Sequence, residues 1–345
     1  MRLQSISLTA LLTLVATLTI GDFPLIQNPK SKIQNSQVLA QTPDARKAEA
    51  DRLRKQGIEQ YQASQYEAAL QSWQQALVIY REIKDRQGEW KALNNLGSAY
   101  FSLSDYANAI DYHQQSLMIA KSIKDHEGEW KTLGNLGDDY TALGDYTKAI
   151  SFYQQSLVII QEIHDREGES AALGRLGNVY QNLGDYAKAI NYHQQHLVIA
   201  REIKNRHGEG AALGNLGLAY LSLGDYTKAI EYLQQSLAIA REIKDRFNEG
   251  QSLGNLGSAY DALGDYAKAI EYQQQSLAIA REIKYRLGEG QSLGNLGSAY
   301  LSLGDYAKAI EYQQQRLAIA RQIKDRLGEG QSLGRLGIEI GRAHV

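Results

Sequence analysis

An all-α fold, a solenoid of antiparallel helix pairs, follows from three observations on this 345-residue chain. A phrase of the form L-G-x-L-G, then Tyr, L-G-D-Y and A-K-A-I-x-Y-x-Q-Q, recurs every 40 residues. It starts at Leu133, Leu173, Leu213, Leu253 and Leu293, with looser copies at Leu93 and Leu53. Each unit carries two apolar stripes at helical spacing, and a short break between them can stop one helix and cap the next. A fixed period of this size marks stacked units that bury their apolar faces only against their neighbours. Seven complete units and the start of an eighth span 45–338.

Before the repeats, Arg2 precedes a 15-residue apolar run over 6–20. That is short for a spanning helix, which needs roughly 20 residues, and it reads as the core of a signal peptide. Val38-Leu39-Ala40 offers a small-residue cleavage pattern, and Thr19-Ile20-Gly21 a weaker, nearer one. Residues 1–40 are therefore read as a signal peptide with an unstructured insertion, and the product as exported to the periplasm or beyond. A retained membrane anchor over 6–20 is the competing reading. The absence of cysteine excludes disulfides, thiolate metal sites and a Cys nucleophile in this chain. Lys plus Arg (37) nearly balances Asp plus Glu (39), so no bulk pull toward nucleic acid or anionic lipid is expected.

In the unit 289–326, Leu293, Leu296, Gly297, Tyr300 and Leu303 make the apolar face of a first helix, A. Gly304-Asp305 breaks it, and Asp305 can cap a second helix, B. Tyr306, Ala309, Ile310, Leu317, Ile319, Ala320 and Ile323 give helix B its stripe, and it is expected to be the longer of the two. The segment from Asp325 to Glu329 is read as the return turn, with Gly328 suited to a helix C-terminus. Gly297 suggests a close approach of helix A to Ala309, which a Cβ would obstruct. Gly294 lies off that stripe. In the first unit Gln56 and Gln60 replace core residues, as suits a cap.

The pattern Leu293, Leu296, Gly297, Tyr300, Gly304, Tyr306, Ala309, Ile310, Tyr312 and Leu317 resembles the tetratricopeptide repeat. The bulky aromatic common one residue after the last Tyr is replaced by Gln313 and Gln273, by His113 and His193, and by Leu233. The proline that usually closes helix B is absent too, and the 40-residue unit is similar to the repeats of kinesin light chains and of GoLoco-containing scaffolds. The resemblance implies a right-handed superhelix whose A helices line a concave groove for a protein or peptide partner.

On that reading the groove candidates lie in three rows. The first is Asn95, Asn135, Arg175, Asn215, Asn255, Asn295 and Arg335. The second is Ser98, Asp138, Asn178, Leu218, Ser258 and Ser298, and the third Phe101, Thr141, Gln181, Leu221, Asp261 and Leu301. A side-chain amide carries both donor and acceptor, so an Asn ladder suits the backbone of an extended peptide. The alternative is that each Asn bonds between neighbouring A helices. Rows two and three hold no Lys or Arg for a carboxylate clamp, and Arg175 alone could meet an acidic side chain. Two nearly identical units differ at 261/301, 262/302, 276/316 and 282/322, the first two being groove positions.

Other motifs read as structural. His193 and His196 stand three apart, with His207 near in sequence, but no Cys or carboxylate completes a metal site on that face. Arg281, Lys284 and Arg286, alternating with Glu271 and Glu282, read as a solvated mixed-charge face of helix B. No cofactor, metal or catalytic set is indicated in the chain.

After Ile338 the period fails. Residues 339–345 can be written in codons that resemble the start of a sequencing adapter, so this tail is expected to be non-native and the gene to continue. The half unit is expected to fray or self-associate. Two functions compete. One is a non-catalytic scaffold holding a partner peptide or helix. The other is the recognition half of an enzyme, because exported repeats opening with A-D-R-L-R-K-Q-G-I-E-Q-Y look like those preceding a caspase-like CHAT domain.

Overall fold

The computed structural model describes residues 42–343; the targeting segment and insertion expected over 1–40 lie outside the described residues. Every regular element described is an α-helix. The pairs are α1 (Pro43–Gln62) with α2 (Tyr66–Glu82), α3 (Arg86–Ser102) with α4 (Tyr106–Ser122), and α5 (His126–Ala142) with α6 (Tyr146–Glu162). Then come α7 (Arg166–Asn182) with α8 (Tyr186–Glu202), α9 (Arg206–Leu223) with α10 (Tyr226–Glu242), and α11 (Arg246–Leu263) with α12 (Tyr266–Glu282). Last are α13 (Arg286–Ser302) with α14 (Tyr306–Gln322), and then α15 (Arg326–Ala343), whose backbone runs on into the suspected tail; residues 344–345 are outside the described residues. No described helix is long and apolar enough to cross a membrane, and the anchor considered over 6–20 is not among them.

Odd-numbered helices are A, even-numbered B. Each A packs on its own B, and each B on the next A. Successive A helices also approach one another directly while B helices do not come as close, so the A helices form the inner face.

The expected longer helix B is corrected. Helices α13 and α14 are 17 residues each, so the period is two equal helices and two three-residue turns. Helix A begins earlier than its apolar stripe because capping starts it there. Asp85, Asp125, Asp165, Asn205 and Asp245 each accept the N–H of the third residue onward. Gly328 correspondingly sits in the first turn of α15, its N–H bonded to Asp325 at 2.9 Å, and not at a helix C-terminus. The left-handed residue of that return turn is Lys324 (φ 59°), as Lys284 (φ 58°) is in the previous one. Asp305 caps α14 as expected, through the N–H of Lys308.

Core side chains link neighbours. Leu277 of α12, Leu293 and Leu296 of α13 and Ile319 of α14 form one buried cluster. Tyr300 stacks on Tyr312 (5.5 Å between ring centroids, planes 7° apart), and Lys308, paired with Asp305, lies 4.8 Å from the Tyr300 ring. A Cβ at Gly297 would stand 2.6 Å from Gln313 Nε2, and at its counterpart Gly217 one would also stand 3.3 Å from the carbonyl of Ala229, the counterpart of Ala309. The counterparts of Gly297 face Trp73, His113, Tyr153, His193, Leu233 and Gln273, so a missing Cβ receives one large B-helix side chain in every complete unit. Gly294 gains an account as well, since its Cβ would meet Arg316 at 2.9 Å and its carbonyl accepts from Gln313.

The mixed-charge surface is exposed, with Arg281 at 52% and Glu282 at 55%, but it is not confined to helix B. Arg281 and Arg286, the latter opening helix A, both bind Glu289, whose side chain is only 7% exposed. Arg246 similarly joins Glu249 of its own helix to Glu282 of α12. These are ties between elements, with a buried carboxylate at the centre of each.

Two glycines give predictions of opposite sign. Gly217→Ala drives a Cβ to within 2.5 Å of Leu233 Cγ and should lower stability by about 1–3 kcal/mol. Gly290→Ala meets only an ordinary contact with Ile319, at a position that holds Trp90 and Trp130 elsewhere, and should gain up to about 1 kcal/mol. Urea unfolding midpoints of the two variants check both.

Candidate functional site

All three predicted rows fall on the inner face formed by the A helices. Leu256 and Leu296 point the other way, fully buried, which leaves the positions one residue earlier half-buried or exposed toward the groove. The first row reaches back to the preceding A helix. Asn215 donates to Asn178 Oδ1 (3.1 Å), Asn295 to Ser258 Oγ (3.5 Å) and Arg335 to Ser298 Oγ (2.5 Å). Asn135 donates instead to Asn94 Oδ1 (2.9 Å). The interhelical alternative therefore holds for these members. Arg175 is not an unpaired cation: its Nε lies 3.3 Å from Asp138 Oδ1.

Asn255 departs from the ladder. The residue 37 places earlier, to which its counterparts donate, is Leu218, and the Asn255 amide has no side-chain partner among the described residues. Asn95 is in the same position relative to Ile58. Asn255 stands in a recess of about 490 Å³ with Leu218, Ser258, Asn295, Arg316 and Arg335 on its walls. Arg316 was noticed in the sequence only as a difference between copies, since it belongs to helix B. It occupies a column that holds Ser116, Ser156, Ser236 and Ser276 but also Ala76 and His196, reaches the recess over Gly294, and bonds Gln331 Oε1 at 2.5 Å. Burial and the neighbouring Arg335 hold its guanidinium below its usual value. Asp261 is raised by burial, against a lowering influence of Arg335, and its Oδ1 is buried without a partner.

At the other end of the groove, a recess of about 390 Å³ lies among Tyr61, Ser98, Phe101, Asn135, Asp138 and Thr141. Tyr153 donates its hydroxyl to Asp138 Oδ1 at 2.6 Å. Asp139, which sequence reasoning missed, is fully buried beside it, with Oδ2 2.6 Å from His113 Nδ1. Burial pushes the Asp139 carboxyl up, and the His113 contact opposes that shift. The signal was present in the repeat: the same column holds Ala99, Val179, Ala219, Ala259 and Ala299. The remaining candidates, Leu221 and Leu301, are half-buried apolar positions of the third row.

His193 is a packing residue, fully buried against Gly177, and His196 lies against Gly174. Among the described residues no group of three or more His, Asp and Glu is arranged to hold a metal ion, and His207 faces Asp245 instead. Burial, with a smaller contribution from His196, pushes the His193 imidazole down to about 4. An unfolded histidine titrates near 6.5. The contribution of the neutral ring is thus complete above about pH 6.5 and is lost as pH falls toward 4, on the order of 3 kcal/mol at most. His193→Leu, the residue at 233, should flatten the stability profile between pH 7 and pH 4 in urea titrations.

Comparison with known proteins places this geometry. The profile described as "Tetratricopeptide repeat" matches six overlapping segments: 57–122, 88–162, 131–202, 168–242, 208–282 and 248–322. No curated protein matches the sequence. Among solved structures, a signal-transduction ATPase with a tetratricopeptide repeat sensor from Pyrococcus horikoshii is similar, with TM-score 0.68 and 19% identity. The match covers 84% of this chain and 44% of that one, so the chain spans less than half of that relative's length. A Rap protein complexed with competence and sporulation factor aligns with TM-score 0.56 and 16% identity, over 88% of this chain and 99% of that one. Kinesin light chain-type repeats from Podosopora anserina align with TM-score 0.50 and 21% identity, over 56% and 96%.

Proposed function

Because the chain belongs to the tetratricopeptide repeat family, whose arrays are protein–protein interaction scaffolds, we propose that it holds an extended or helical partner segment along its inner face. The observation that carries this reading is the Asn255 amide, left without a side-chain partner in a recess where Asn295, Arg316 and Arg335 are each bonded to another helix. An amide so placed can donate to and accept from a peptide backbone, and Arg316 and Arg335 beside it suit an acidic side chain at that register. The chain itself is read as non-catalytic. The Rap protein of similar fold, complexed with competence and sporulation factor, lends the reading support.

A second reading makes the array the recognition half of a longer enzyme, with a CHAT domain as one form of it. It is favoured by the Pyrococcus relative, in which repeats of this fold serve as the sensor of an ATPase. In either case residues 1–40 are proposed to direct export, and mass spectrometry of the expressed protein should find Gln41 as the first residue. An N-terminus at Met1 or Arg2 would contradict that.

Panning a phage library of random dodecapeptides over the immobilised protein tests the scaffold reading. Enriched binders are expected to lose at least tenfold in affinity when Asn215, Asn255 and Asn295 are together replaced by Ala, with far-UV circular dichroism unchanged. No enrichment, or affinity indifferent to the triple replacement, would count against groove binding.

A further inference from the structure

We propose that the recess between α1, α3 and α5 is a subsite for a basic side chain of the bound segment, a lysine ammonium or an arginine guanidinium. The inference rests on the groove reading above and gives it a direction. It starts from Asp139, which is 0% exposed in a column that carries Ala or Val in every other complete unit except the first, where Glu59 is exposed. A carboxylate placed there is costly unless it is fully paired. Its pairing is incomplete. Oδ2 is met by His113, while Oδ1 is buried with no partner, as is Nε2 of His113. The neighbouring Asp138 already has two partners, the Tyr153 hydroxyl and Arg175, so the unmet acceptor belongs to Asp139.

The walls have the chemistry of a long cationic side chain. Tyr61 and Phe101 both line the recess and offer aromatic surface for a methylene stem and, at close range, attraction for the cation itself. Tyr61 is fixed by its hydroxyl's hydrogen bond with Ser102 Oγ at 2.8 Å, and Phe101 packs on Tyr106. An ammonium entering between them would give Asp139 Oδ1 a donor and bring the opposite charge to a site with two carboxylates. An acidic or apolar side chain would do neither. Other units lack the arrangement: at the equivalents of His113 and Asp139 they pair Gln273 with Ala299, or Leu233 with Ala259. Replacing a buried ion pair by neutral residues that pack is often neutral or stabilising, so stability alone does not call for the His–Asp pair.

The double variant H113Q/D139A reproduces the Gln273/Ala299 pair, which already packs within this fold, so it should fold and unfold at an equal or higher urea concentration. The same random dodecapeptide library is panned in parallel over the full chain and over this variant. On the unmodified chain, Lys and Arg together should be enriched at least fivefold over the naive library at one register position. On the variant, peptides should still be recovered while that enrichment disappears. Recovered peptides without Lys/Arg enrichment on the unmodified chain, or enrichment that persists on the variant, would overturn the subsite and leave the groove standing. Recovery of no peptide on either protein would overturn the groove reading and the subsite with it.

Discussion

No helix pair in this chain can shield its own apolar side, and the rest of the structure follows from that. Each core cluster joins elements of neighbouring units: Leu197 of α8, Leu213 and Leu216 of α9 and Ile239 of α10 pack together. The chain contains its own comparison. Leu293, on an A helix with its B helix present, is 1% exposed, whereas Leu333, the same position on the unaccompanied α15, is 48% exposed. Burying one leucine contributes about 1.5–3 kcal/mol, so a unit deprived of its neighbours loses what orders its backbone.

The constraint also explains which columns are free to vary. Turns, caps and the Tyr–Tyr–Lys stack repeat almost unchanged, because each sets the geometry by which one unit meets the next. The slot over Gly57, Gly97, Gly137 and their successors accepts Trp, His, Tyr, Leu or Gln, provided the helix beneath lacks a Cβ. Inner-face positions touch little that the stack depends on, so individual units can differ there. Leu218 is such a departure; Asp139, at a buried position of an A helix, and Arg316, on a B helix, also depart from their columns, and each of the three lines one of the two recesses.

The architecture was legible in the sequence because it is written seven times over, and Asp305 and Gly304 marked the inter-helix turn correctly. Helix lengths were not, since the stripe of helix A begins at Leu293 while its cap position lies eight residues earlier, at Tyr285. Members of the Asn row lie where successive A helices meet, but spacing within one unit cannot reveal a bond to a residue 37 places back in the next helix over. Asp139 escaped notice because the rows were drawn from exposed positions, and it occupies a buried one. Comparing the columns of all copies, buried ones included, would have found it.

The most direct test of mutual shielding is urea unfolding, followed by far-UV circular dichroism, of fragments containing one, two, three and more of the units. The account predicts that the single unit 246–285 is unstructured without urea, and that midpoint and steepness rise as units are added. A lone unit that unfolds as cooperatively, and at the same urea concentration, as the full array would contradict it.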